Sequence, residues 1–375
     1  MQQKQRSPRS PLRTRAISLL LAAVLILGLV PGFTGEASAH WADGYLNQLV
    51  EWGFIRPDQA NSPDGELTRA DFMAITNRAY GYDDVGETPF TDVAVTDWFY
   101  DDVGIAYNAR YINGTSPTTA SPNDPLNRET AATILGRNMM LQESAGEILD
   151  FTDARDISSW ARGTVKSSLE HYLVGGYDDG TFKPQKDLSW GEMAAMLSRI
   201  VGTPLQEAGD YSLGGVFGNV TISADGVTLR DTVISGDLYV TGGVGLGGVK
   251  LENVTVLGRI IASGTGESEG GQASILLRNV TADELLVDNL QDHYVTLKAD
   301  GITEIGNTTV RTSAYIEDNT PDGMGLKYIS LEGTPDPETG EYPPIQLDLA
   351  GRIEEVVNRT PNSQVRAAKG KDKKM

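Results

Sequence analysis

Between residues 41 and 201 the apolar positions come in short bursts at helical spacing, separated by polar loops rich in Gly and Asp. Leu46, Leu49 and Val50 form a stripe at i, i+3 and i+4, and Gly53 follows as a stop. Thr68, with Asp71 three residues on, predicts a capped second helix whose buried face is Phe72, Ile75 and Ala79. The plan returns further on. Val165, Leu169 and Tyr172 predict a helix ended by Gly175, and Ser189 with Glu192 caps another that carries Met193, Met196, Leu197 and Ile200. The methionines read as core filler. Trp41, Trp98 and Trp160 mark three such units, 57 and 62 residues apart. One helical hairpin of this size buries too little apolar surface to stand alone, so the three are expected to pack together.

After Gly202 the helical period disappears and short β-branched runs replace it. The segment from Gly226 superimposes on the segment from Gly248 at an offset of 22: Leu229 matches Leu251, Asp231 matches Asn253, Gly236 matches Gly258, and Leu238 matches Ile260. A third copy from Ser274 fits at an offset of 26, with Leu277, Asn279 and Leu286 continuing the ladders and Gly264 to Gln272 absorbing the extra residues. Stacked aliphatics with Asn or Asp at corners predict a parallel β-solenoid of roughly five or six coils. The corner Asn253 and Asn279 are expected to bond to backbone of neighbouring turns, which explains their Asn-x-Thr context without glycans; Asn113, Asn219 and Asn307 share that context.

The fold class is therefore multidomain, an all-α bundle followed by an all-β parallel β-helix. The expected order is an export signal at 1–39, helical units at 40–83, 84–143 and 144–203, a linker at 204–214, the solenoid at 215–358, and a basic disordered tail at 359–375. The signal reading rests on Lys4, Arg6, Arg9, Arg13 and Arg15, the apolar run from Ala16 to Val30, and the small-residue site at Ala37 and Ala39. That run is short for a span, which needs about 20 residues, so no membrane span is expected after cleavage.

Charge narrows the partners. Removing the signal leaves 26 basic and 50 acidic side chains, a net charge of −24. Nucleic acid is thereby excluded as a partner, because phosphate binding needs a basic face. The absence of Cys excludes disulfides and thiolate chemistry, and only His40, His171 and His293 offer imidazoles. Asp83-Asp84, Asp101-Asp102 and Asp178-Asp179-Gly180 lack the spacing of a calcium loop and read as solvated turns; no metal or cofactor is expected.

The best binding candidates sit where the second helices begin. Arg69 and Arg128 lie one residue past the caps Thr68 and Asn127, where exposed N–H groups and the helix dipole favour an anion. A guanidinium adds a planar fork for a carboxylate. The competing reading is that each Arg pairs with an acid of the neighbouring unit. Trp52 reads as core; Trp41, Trp98 and Trp160 are open to both core packing and sugar stacking.

Phe90-Thr-Asp92 with Trp98, Phe151-Thr-Asp153 with Trp160, the run from Gly176 to Phe182, and Leu67-Thr-Arg-Ala-Asp71 together resemble S-layer homology domains, in three copies over 41–203. The resemblance implies a pseudo-threefold helical bundle that fixes an exported protein to the wall of a Gram-positive-type bacterium. It implies a pyruvylated secondary cell wall polysaccharide as partner, held by Arg69 and Arg128 in grooves shaped by Asp92, Asp153 and the three Trp residues, with Gly114 and Gly176 admitting the sugar. Three departures are visible. Trp190 replaces the Arg of the third unit, leaving that groove dead or able only to stack; Arg56 stands where the first loop should have Gly; and Asn127-Arg-Glu-Thr130 lacks the acid of the capping box. One or two working grooves are expected.

No catalytic residue is assigned, and the solenoid is read as a structural or interaction module, with self-assembly into an array as a further route to multivalency. The alternative is a wall-anchored polysaccharide lyase or glycoside hydrolase using the solenoid. Arg230, Arg259, Arg278 and Lys298 show no evident acid cluster beside them, and three or more acids on one face would favour the enzyme.

Overall fold

The computed structural model describes residues 40–148, 151–245, 247–264, 274–335 and 340–368. The export signal, most of the 264–272 insertion and the last seven residues of the expected tail lie outside the described residues.

Six helices make the first half: α1 (Asp43–Glu51), α2 (Arg69–Tyr80), α3 (Tyr100–Asn108), α4 (Arg128–Asn138), α5 (Arg162–Glu170) and α6 (Trp190–Val201). Both predicted capping boxes form, Thr68 with Asp71 and Ser189 with Glu192. The first helix ends as expected at Gly53, which takes φ +74°. In the third unit the helix ends earlier than Gly175, because Tyr172 itself adopts the left-handed conformation and stands 86% exposed instead of lining the helix.

The bundle closes on itself through backbone. Leu67 N–H donates to the Leu188 carbonyl (3.1 Å), Leu188 to Leu126 (2.7 Å) and Leu126 back to Leu67 (3.2 Å). These three leucines, each just before a helix cap, are fully buried at the pseudo-threefold axis.

The second half is a parallel solenoid of about seven turns, somewhat more than its repeat suggested. Leu229 pairs with Leu251 and Leu251 with Leu277, as the 22 and 26 offsets require. A bulge between Val256 and Arg259 then shifts the register, so Leu286 sits beside Ile261 and Leu285 beside Ile260. The corner residues Asp231, Asn253 and Asn279 all take positive φ. They bond one another along the ladder, Asn253 Nδ2 donating to Asp231 Oδ1 (2.9 Å) and Asn279 Nδ2 to Asn253 Oδ1 (2.8 Å), and Asn279 Oδ1 also accepts from the Ile302 backbone N–H of the next turn (2.9 Å), as expected of it.

The expected linker is part of the solenoid. Thr203–Leu205 pairs in parallel with Val220–Ile222, and Gly209–Val216 with Val227–Ile234. The Gly and Pro content that suggested a linker belongs to the first coil, whose outer edge needs no ladder donors. Likewise the start of the expected tail is ordered, with Gln364–Ala367 paired to Gln346–Leu349.

Bundle and coils share a core. On one solenoid wall Leu238, Val240, Ile260 and Leu285 point inward, while the alternate residues Tyr239, Ile261 and Leu286 point outward and are buried among the helices. Tyr239 meets Tyr80 edge-on at 5.6 Å, and Tyr80 stacks on Tyr82 at 6.0 Å. Side chains of the coils also cap the ends of the three second helices. Thr241 Oγ1 donates to the Tyr80 carbonyl (2.7 Å), Arg311 Nη1 to Met140 (3.0 Å), and Thr221 Oγ1 to Val201 (2.9 Å). Tyr80 and Val201 are the last residues of their helices, whose last-turn carbonyls need such donors, while Met140 lies two residues past the end of α4. Gly81 (φ +71°) and Gly202 (φ +66°) allow the approach, since a Cβ on either would overlap the carbonyl oxygen of Ser223 or Asn219.

Candidate functional site

The grooves lie at the opposite ends of the second helices. There the first-turn N–H groups are already used. Arg69 and Ala70 donate to the carbonyls of Asp124 (3.0 Å) and Pro122 (2.9 Å); Arg128 and Glu129 donate to Lys186 (3.0 Å) and Pro184 (3.1 Å); Trp190 and Gly191 donate to Gly65 (3.1 Å) and Pro63 (2.8 Å). The third N–H of each helix goes to its cap side chain. The expected anion trap of exposed helix N–H groups therefore does not exist; each helix start is stitched to the next unit instead.

The side chains of Arg69 and Arg128 are partly committed too. Arg69 Nε donates to Ala120 (2.9 Å), and Arg128 donates through Nε to Phe182 (2.9 Å) and through Nη2 to Gly175 (2.9 Å). Burial pulls the Arg69 pKa below its ordinary value, against the support of Asp124 and Asp92. Arg128 is buried and lies over the Tyr177 ring at 4.6 Å.

Asp92 and Asp153 clamp the same loops from the other side. Asp92 accepts from Ala120 N (2.9 Å) and Ser121 N (2.8 Å); Asp153 accepts from Phe182 N and Lys183 N, both at 2.8 Å. Ser121 and Lys183 hold left-handed φ, which two charge-assisted bonds to a carboxylate stabilise. Gly114 and Gly176 also have an internal cause, because a Cβ there would run into the rings of Phe90 and Phe151. The missing Arg of the third unit and the missing Phe-x-Asp of the first fall on one junction. Trp190 fills it: the indole is buried in the bundle core beside Gly65 rather than open for stacking. Glu129, one residue short of the box position, instead holds the third unit by accepting from Ser158 N (2.8 Å) and Oγ (2.6 Å).

One groove, of about 700 Å³, opens on the third unit, bordered by Trp41, Asp64 and Glu66 of the first and by Arg128 of the second. Arg128 and the 175–178 loop form its head, Lys186 to Glu192 its floor, and Trp41 of the first unit its rim. Trp41 is 59% exposed, as is Trp98, with Trp160 at 52%, so all three indoles face solvent. On the floor Glu192 receives Lys186 Nζ (2.6 Å) and the Tyr177 hydroxyl. Burial would raise the Glu192 carboxyl, but these donors hold it below the usual range; burial would lower Lys186, but Glu192 holds it above. The sequence does not single out Lys186, Tyr177, Glu192 and Arg199 as groove residues; of these, Glu192 carries a signal as a cap and Tyr177 as part of the Gly176 to Phe182 run.

The solenoid has a second groove, of about 420 Å³, on the outer face of its later coils. Glu284, Glu332 and Glu355 line it with Tyr328 and Arg359. Glu332 is paired with Arg359 at 2.7 Å. Among the described residues no group of His, Asp or Glu is arranged to hold a metal, and no helix is long and apolar enough to cross a membrane.

Residues 89–132 and 150–194 each match the S-layer homology domain. These are the second and third units, and the leucine ring gives the first its place beside them. The surface-layer 125 kDa protein of Lysinibacillus sphaericus is 25% identical over 43% of this chain and 14% of its own length. The cellulosome-anchoring protein of Acetivibrio thermocellus is 32% identical over 29% of this chain and 26% of its own. An amylopullulanase of Thermoanaerobacterium thermosulfurigenes is 29% identical over 42% of this chain and 9% of its own. The chain thus matches between 9% and 26% of the length of these relatives.

Proposed function

We propose, from the premise that this chain carries S-layer homology domains ahead of a parallel β-solenoid, that it is an exported protein held non-covalently on a bacterial wall by an anionic secondary polysaccharide. S-layer homology domains anchor proteins at the cell surface, and the named relatives include surface-layer and anchoring proteins. The observation that carries the finer reading is the groove on the third unit, bordered by Arg128 of the second and Trp41 of the first. It brings a buried guanidinium, Arg128, to the head of a cleft whose rim is an exposed indole, Trp41. A carboxylate on a sugar matches the first and the sugar face matches the second. Weak single sites suffice if many copies share a surface.

The test is co-sedimentation of residues 40–375 with purified walls, beside walls stripped of their secondary polymer. Pelleting is expected with intact walls only, and Trp41→Ala, which leaves the core alone, is expected to weaken it at an unchanged melting temperature. Equal pelleting with stripped walls would reject the polysaccharide as partner. A second reading, polysaccharide cleavage in the solenoid, is favoured only by the three glutamates of the 420 Å³ groove.

A further inference from the structure

Each second helix carries an arginine nine residues after its first: Arg78, Arg137 and Arg199. In the first unit that arginine has a structural task, since Arg78 Nη1 donates to the Phe54 carbonyl at 2.7 Å and ties the helix to the loop before it. In the second, Glu143 is the charge that supports Arg137. Arg199 departs from the pattern. Its guanidinium is exposed, and among the described residues it forms no hydrogen bond or ion pair; it lines the same groove as Arg128. Its backbone is nonetheless fixed, because Asn219 Nδ2 donates to the Arg199 carbonyl at 3.3 Å.

Arg128 and Arg199 converge on one spot. Arg128 Nη2 bonds the Gly175 carbonyl, and Arg199 Nη1 lies 3.7 Å from where a Cβ on Gly175 would stand. Most of the Arg128 fork is spent on the loop, leaving Nη1 for a ligand. The whole fork of Arg199 remains. The other groove cation, Lys186, is neutralised by Glu192.

We propose that Arg199 is a specificity-determining residue of this groove, supplying the fork that receives the carboxylate of an acidic saccharide while Arg128 chiefly braces the loop beneath it. The inference rests on the wall-anchoring reading above and adds a division of labour between the two arginines.

The experiment measures half-saturating wall concentration for residues 40–375 with native walls and with walls whose carboxylates have been reduced to alcohols. Removing one charge-assisted contact is expected to weaken Arg199→Ala about tenfold on native walls and to change nothing on reduced walls. Arg199→Lys keeps the charge but not the fork and is expected between the two. Melting temperatures of both variants should match the wild type. If wild type binds native walls better than reduced walls, yet Arg199→Ala binds like wild type, the assignment of Arg199 is overturned and the anchoring reading stands. If wild type does not distinguish the two walls, or binds neither, the anchoring reading fails and this one with it.

Discussion

The shared core predicts that anchor and solenoid unfold as one. Tyr239 is the residue to test, because it belongs to a solenoid strand yet its ring is buried among the helices, 1% exposed and edge-on to Tyr80. Tyr239→Ala removes a large ring from a filled site, where such truncations cost about 3–5 kcal/mol. The chain supplies a convenient pair of probes. All five tryptophans, at 41, 52, 98, 160 and 190, lie in the bundle, so their fluorescence reports helices alone, whereas far-ultraviolet dichroism is sensitive to the strands as well. In urea the two signals of wild-type 40–375 should change together, the mark of a two-state transition. Tyr239→Ala should move both to lower denaturant by the same amount. A fluorescence transition that stays at the wild-type midpoint while the dichroism shifts would refute the shared core. So would two separated transitions in the wild type. Residues 40–203 alone are unsuited to a wall-binding test, since that fragment would expose Tyr80 and leave the carbonyls of Tyr80, Met140 and Val201 without their donors.

Two further outcomes follow from the same contacts. Asp153→Ala deletes two bonds to backbone N–H groups at a left-handed turn and should cost about 2–4 kcal/mol in denaturant stability; a variant as stable as wild type would show that the clamp is idle. Asp288, half-buried at the seam beside Arg311 at 3.5 Å, has its carboxyl pushed up to about 6 by loss of solvation, partly offset by that arginine. A raised folded pKa means the folded state holds the proton more tightly, so this contribution is fully present below the ordinary value of 3.8 and is lost as pH rises through about 6. Asp288→Asn should therefore gain on wild type by about 2–3 kcal/mol between pH 4 and pH 8, and parallel stability curves for the two proteins would contradict the burial argument.

Much of the fold is legible because it rests on local chemistry. Thr68 with Asp71 and Ser189 with Glu192 are caps whose partners lie within one turn, and the match of Leu229 to Leu251 is visible by counting. Counting fails at Leu286, because a bulge changes register without leaving a residue type behind. The Thr203–Leu205 strand was hidden because its partner and its environment are non-local. The site was harder still. Asp92 and Arg128 stand out by their motifs, but the partners they have are backbone carbonyls and N–H groups, and these have no sequence signature. For the same reason nothing in the chain announces that the helix starts are already saturated. Arg199 repeats Arg78 in sequence; only the structure separates the bonded copy from the unbonded one.

The leucine ring carries an evolutionary consequence. Leu67, Leu126 and Leu188 each give one hydrogen bond and take one, so the circuit closes at three members and would be broken by the loss or gain of a single unit. The coils obey a different rule. Beyond the coils that touch the helices, each contacts only its neighbours, so a turn can be inserted or deleted there with a local adjustment. Within one gene, then, duplication is frozen in the anchor and the coils fitted to it and free in the coils beyond, and lineages bearing this architecture should differ in reach while keeping the count of their anchor.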